Sequence, residues 1–163
     1  ACMSPHTAFL VLQGIETLSV RMDKHLLNAK KMLDYLSSHD GVEWVSHPDL
    51  PDHPDHQVAK KMLPKGAGSM IAFGVKGGKQ AGEAFINAVT LASNLANVGD
   101  SKTLVIHPAS TTHAQMDAPT MKLAGLTEDM IRFSVGIEDV EDIMNDFDNG
   151  FRAAKKLQLV AAE

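Results

Sequence analysis

Ser4-Pro5 opens a run in which Phe9, Leu12, Ile15, Leu18, Met22, Leu26, Ala29, Met32 or Leu33, and Leu36 recur at steps of three and four residues. That spacing lines one face of an α-helix. The Ser4 hydroxyl can accept an orphan backbone N–H of the first turn and proline has none to lose, so the helix is predicted to begin there. Gly14 is a weak point that a helix tolerates. Running to Leu36, the element would be about 48 Å long, whereas a compact domain of this size has a radius of gyration of about 15 Å. The expectation is a long linker helix over residues 1–36 that overhangs a domain of residues 37–163 and exposes an apolar stripe.

Downstream, the pattern alternates. Val42 to Val45 reads as a short strand between His39-Asp40-Gly41 and His47-Pro48, both turn-forming. Asp49 to Pro54 is too rich in Pro and Asp for a regular element. Gln57 to Leu63 reads as a short helix stopped by Pro64, and Ser69 to Val75 as a buried strand before Gly77-Gly78. Ala81, Ala84, Phe85, Ala88, Val89 and Ala92 share a helical face. Thr103 to Ile106 and Ile131 to Val135 are two more strands. A final helix puts Val140, Ile143, Met144, Phe147, Phe151 and Ala154 on one stripe, with acids in its first turn and Lys155-Lys156 near its end, as the helix dipole prefers. Strands interleaved with helices and largely lacking hairpin spacing give an α+β architecture.

Composition removes several function classes. A net charge of -5, with no Lys/Arg cluster, cannot supply the positive field that nucleic acid or an anionic membrane requires. No apolar stretch reaches the length of a membrane span. The single cysteine, Cys2, excludes an internal disulfide framework and fits a reducing compartment. With no charged-then-apolar leader, a cytoplasmic location is the default.

The chemistry-bearing residues concentrate in Asn97-Val98-Gly99-Asp100-Ser101-Lys102-Thr103-Leu104-Val105-Ile106-His107-Pro108-Ala109-Ser110-Thr111-Thr112-His113 and in Arg132-Phe133-Ser134-Val135-Gly136. An apolar strand ending in a hydroxyl-rich loop, with an Arg set among apolar residues, can build a carboxylate clamp. The guanidinium stays charged, and its forked donors match a carboxylate bidentately. Spacing alone equally allows an ordinary strand, a loop and a capping Arg. His107, before Pro108 at a strand end, reads as a hydrogen-bonded structural residue, while His113 is ambiguous. His47, His53 and His56 are the best metal set by spacing, but no Cys and no helical i, i+4 pair supports them. A solvated loop is the better expectation there, and no metal site is assigned. A Ser/His/Asp triad lacks its Gly-x-Ser-x-Gly elbow.

The two motif runs, together with Ser4-Pro5 through Ala8-Phe9-Leu10, Gln13-Gly14-Ile15-Glu16-Thr17-Leu18, Leu63-Pro64-Lys65-Gly66 and Phe73-Gly74-Val75-Lys76-Gly77-Gly78, resemble the C-terminal segment of the Cys/Met-metabolism family of pyridoxal-phosphate (PLP) enzymes, fold type I. The resemblance narrows the fold to a small, mainly antiparallel sheet with helices packed on it, preceded by the long linker helix. It implies that Arg132 binds the α-carboxylate of an amino-acid substrate, with Asn97 and Thr112 beside it. Asn97 stands where lyase relatives often have Ser; its amide can still donate to a carboxylate. No lysine sits in the family's Ser-x-Thr-Lys setting, so the resemblance places PLP and all catalytic groups on an upstream domain absent from this chain. None of the residues here is expected to bind cofactor or to catalyse. The implied activity is γ-replacement by sulfide on an acylated homoserine, within a homotetramer. Asn97-Val98 and the segment from His47 to Gly68 favour that branch over the family's γ-synthases and γ-lyases. A rival from another class is a stand-alone amino-acid-binding module without catalysis, which would have no reason to extend its first helix beyond its sheet.

Overall fold

A computed structural model describes residues 2–161. Its α-helices are α1 (Pro5–Glu16), α2 (Leu18–Ser38), α3 (His56–Met62), α4 (Gly78–Ala88), α5 (Ala118–Leu123) and α6 (Val140–Ala161), and its strands are β1 (Val42–Ser46), β2 (Met70–Val75), β3 (Ser93–Asn94), β4 (Leu104–Ile106) and β5 (Met130–Ser134). The strands form one sheet in the order β1-β2-β5-β4-β3. Every pairing is antiparallel except β3 with β4. The expected α+β class and mainly antiparallel sheet are therefore what the chain adopts.

The helix expected from Ser4 to Leu36 is two helices. Ser4 does cap the first, its Oγ accepting from Thr7 N–H at 3.1 Å, with Pro5 in the first turn. The break falls at Thr17, where φ is -103° and ψ is 7°. Arg21 explains it locally, because its Nη2 donates to the Gly14 carbonyl at 2.9 Å, an oxygen that an unbroken helix would give to the residue 18 N–H. Glycine, the least helix-favouring residue here, makes that surrender cheap. Beyond the break α2 changes character. Ala29, Met32, Leu33 and Leu36 enter the same core as the sheet, so this half of the expected linker packs with the residues that follow it. No residue of α1 is buried.

Period-two alternation sorts the sheet into two faces. Ile71, Phe73 and Val75 of β2 and Ile131 and Phe133 of β5 point to the side covered by helices, where they join Phe85 of α4 and Ile143, Phe147 and Phe151 of α6. The aromatic rings meet edge to face, Phe85 with Phe147 at 5.3 Å and 90° and Phe73 with Phe133 at 5.8 Å and 84°, the arrangement their quadrupoles favour. The opposite face of β5 carries Arg132 and Ser134.

Two histidine-bearing regions are tied into the fold. His107 is fully buried; its Nδ1 lies 2.7 Å from Ser110 Oγ and its Nε2 2.7 Å from the Glu128 carbonyl. This is the structural role expected for it. Gly82 makes room for the ring, since a Cβ there would come within 2.5 Å of His107 Nε2. The loop after β1 is largely the solvated loop expected, with Asp49, Pro51, Asp52, Pro54 and Asp55 exposed, but its first histidine is not. His47 is buried, its Nδ1 accepting from Asp49 N–H at 3.1 Å with Nε2 3.3 Å from the Gly68 carbonyl. His53 Nδ1 accepts from Asp55 N–H at 3.1 Å, and His56 Nδ1 lies 2.9 Å from the Pro48 carbonyl. The His47 and His53 rings each accept from the N–H two residues on and so close the turns of this Pro- and Asp-rich segment. Because Nδ1 of His47 accepts, the ring is neutral, in agreement with burial lowering its pKa against the opposing pull of Asp49. Asp49 Oδ2, 3.8 Å away, does not override an N–H pointed at the ring nitrogen.

Candidate substrate-carboxylate site

Arg132 lies at the centre of β5, directly between Ala72 of β2 and Ile106 of β4 in the sheet register. Its neighbours Ile131 and Phe133 are buried while it is exposed, so strand alternation alone turns the guanidinium away from the core. Among the described residues its side chain makes no hydrogen bond or ion pair. The small Ala72 on one side and the apolar Ile106 on the other bring no competing charge. Ordinary surface Arg side chains are solvated and mobile; this one rises from the middle of a sheet, where strand pairing fixes its backbone on both sides.

Asn97 and Thr112 lie on two different connections of the sheet. The chain leaves β3 at the sheet edge and turns back over the Arg132 face, where Gly99 N–H donates to Ser134 Oγ at 3.2 Å. Ser134 is two positions along β5 from Arg132 and therefore on the same face. Asn97 belongs to this turn, with its Oδ1 accepting from Val98 N–H at 2.8 Å and its NH₂ pointing elsewhere by necessity. Thr112 lies just past β4, in the turn closed by the Thr111 hydroxyl and the His113 N–H, which donate to the carbonyls of His107 and Pro108 at 2.8 and 2.9 Å. Thr112 Oγ1 lies 2.8 Å from His113 Nδ1. The turn that bears Asn97 is thus fastened to the Arg132 face through Gly99 and Ser134, the turn that bears Thr112 follows directly on β4, the strand paired with β5, and no hydrogen bond joins the three side chains to one another among the described residues.

The loop's footing was not singled out from sequence. Thr103 N–H and Oγ1 both donate to the Glu138 carboxylate, at 2.6 and 2.9 Å, and Thr103 Oγ1 accepts from Gly136 N–H at 2.9 Å. Ile137 N–H donates to the Ser101 carbonyl at 2.9 Å. A Cβ at Gly136 would come within 2.5 Å of Thr103 N, so only glycine lets the loop close on the strand exit. From the other side, Asn28 of α2 donates through Nδ2 to the carbonyls of Gly136 and Glu138 at 3.0 and 2.9 Å. Each residue of Arg132-Phe133-Ser134-Val135-Gly136 then has a reason: Phe133 and Val135 fill the core, Arg132 and Ser134 face the loop side, and Gly136 admits Thr103. The available signal was the alternation inside that motif, which puts Ser134 beside Arg132.

A Schiff-base lysine works from a desolvated setting, and no lysine among the described residues is buried. No group of three His, Cys, Asp or Glu side chains able to hold a metal occurs among the described residues. No helix there is long and apolar enough to cross a membrane.

Comparison with known proteins bears on the same surface. The chain is 49% identical over 93% of its length to the homocysteine synthase of Schizosaccharomyces pombe, of which it spans 35%. A Campylobacter jejuni structure named as an O-acetylhomoserine (thiol)-lyase, containing N'-pyridoxyl-lysine-5'-monophosphate, superposes with a TM-score of 0.84 at 37% identity, covering 93% of this chain and 36% of that one. The cystathionine gamma synthase of Xanthomonas oryzae pv. oryzae, solved with cystathionine, gives the same TM-score and identity over 94% of this chain and 39% of that one. The chain thus spans about a third of the relatives it matches, in length. The profile of the Cys/Met metabolism PLP-dependent enzymes matches residues 1–152, a span that takes in the loop from Asn97, the turn at Thr112 and the strand of Arg132 together, and the chain belongs to that family.

Proposed function

We propose that this chain is the C-terminal, substrate-orienting part of a PLP-dependent O-acetylhomoserine sulfhydrylase, which converts O-acetyl-L-homoserine and sulfide to homocysteine and acetate in methionine biosynthesis. The observation that carries the reading is the Arg132 guanidinium, exposed at the centre of the sheet without an intramolecular partner among the described residues. An amino-acid α-carboxylate is the anion it matches in charge and geometry. Asn97 and Thr112 would complete the carboxylate's surroundings from the two flanking turns. The Asn97 side-chain oxygen is already engaged by the Val98 N–H, which leaves the two amide N–H donors for the ligand. Bond making and breaking belongs to the upstream PLP domain, and the family resemblance supports a homotetramer as the working form.

A second family activity has a specific observation behind it, the equal structural match to a cystathionine gamma synthase. The two reactions differ in nucleophile, sulfide against the thiol of cysteine. The complete polypeptide carrying this chain, purified with PLP and given O-acetylhomoserine, is expected to form homocysteine with sulfide faster than cystathionine with cysteine. Cystathionine as the dominant product would transfer the assignment to the γ-synthase.

A further inference from the structure

We infer that Ser134 is a positioning residue for the substrate carboxylate, acting through the Gly99 N–H to hold the turn that carries Asn97 at the Arg132 face. The inference rests on the substrate reading above and deepens it.

Ser134 is 1% exposed, although it lies on the face of β5 that leaves Arg132 open. What covers it is the turn itself. Gly99 sits at φ +75°, a left-handed conformation that reverses the chain above the strand, and its N–H donates to Ser134 Oγ at 3.2 Å. The other fastenings stand away from the tip: Leu95 N–H donates to the Val105 carbonyl at 3.3 Å on the entering side, and on the leaving side Ser101 is held through Ile137 N–H and Thr103 through Glu138 and Gly136. Asn97 and Val98 are exposed, so the Ser134 contact is the last anchor between that footing and Asn97. Without it, the turn from Asn97 to Asp100 keeps its base and loses its tip.

The geometry also restricts what the serine can do. Its oxygen accepts from Gly99, and it stands two positions from Arg132 on one rigid strand. Its effect on substrate is transmitted by the loop, so the signature is in binding of the amino acid and not in the second substrate or in turnover. In the complete enzyme, Ser134→Ala should raise KM for O-acetylhomoserine roughly threefold to tenfold, the range spanned by loss of one neutral hydrogen bond. KM for sulfide and kcat should stay within about twofold, and the Gly99 amide should exchange with solvent roughly fivefold to tenfold faster. Ser134→Cys, which keeps the volume with a weaker acceptor, should fall between the wild type and Ser134→Ala, and it carries the test if the alanine variant does not fold.

Wild-type protein that makes no homocysteine from O-acetylhomoserine and sulfide defeats the substrate reading, and this one with it. Wild-type turnover combined with an unmoved KM for O-acetylhomoserine in the variant, or with kcat and both KM values falling together, defeats the positioning role alone.

Discussion

Helices α1 and α6 are both rich in apolar residues, yet one buries nothing and the other supports the core. In α6 the apolar positions Val140, Ile143, Phe147, Phe151 and Ala154 come every three or four residues, with acids and amides between them, and all five are buried. In α1 they are consecutive: Phe9, Leu10, Val11 and Leu12 surround the helix and remain 46 to 60% exposed. Periodicity tells a helix which way to face. A helix that is apolar all round needs cover on every side, and the rest of this chain offers α1 none. An exposed apolar surface of this kind marks a place for a partner, in keeping with a chain that spans about a third of its relatives' length.

The sharpest way to break the comparison is to truncate one phenylalanine from each helix. Phe147→Ala should cost about 3–5 kcal/mol, the loss for a large aromatic in a close-packed core. Phe9→Ala in the same isolated chain should stay within about 0.5 kcal/mol. Urea unfolding followed by far-UV circular dichroism measures both, and equal losses would mean that α1 is covered in solution.

Hydrogen exchange gives a second contrast. The segment from Met3 to Gly14 should exchange faster than that from Met22 to Leu36, because only the latter has buried anchors. Uniformly high protection in a strictly monomeric sample would show that the chain covers α1 unaided, which would favour a stand-alone module.

A smaller effect separates the packed body from α1 by pH. The buried His47 is held below its ordinary value of 6.5, chiefly by burial, so the unfolded chain takes up a proton more readily than the folded one. Its contribution is therefore fully present above about pH 6.5 and is lost as pH falls below that value towards the folded pKa. Stability of the body should drop on acidification through this window, and His47→Gln should flatten the slope. An unchanged slope in the variant would assign the acid sensitivity elsewhere.

How far the fold could be read from sequence follows the range of the interactions involved. The stripe of α6 and its first-turn acids are local, and its start at Val140 was visible in them. The alternation of β5 is local too and turns Arg132 away from Phe133. Strand β3, with two residues, is below what any periodicity can reveal. Helix α5 was overlooked despite a local signal, Asp117 ahead of Pro119, where the carboxylate accepts from Thr120 N–H at 2.9 Å. The break at Thr17 depends on where the Arg21 side chain lands, and the burial of His47 on a carbonyl twenty-one residues away. The site was half legible for the same reason. Arg132 is a candidate through its motif, but the fastening of Gly99 to Ser134 spans thirty-five residues and exists only once β3, β4 and β5 are side by side.

The two faces of β5 make the most direct test. Phe133 supports the fold and Arg132 is proposed to serve the ligand, so Arg132→Lys in the complete enzyme should leave unfolding stability within about 0.5 kcal/mol. An ammonium cannot reproduce bidentate carboxylate binding, and losing a charge-assisted hydrogen bond costs about 1.5–3 kcal/mol. The account predicts that kcat/KM for O-acetylhomoserine falls roughly tenfold to over a hundredfold in a variant that unfolds like the wild type. Unchanged kcat/KM would remove Arg132 from the substrate site and contradict the account.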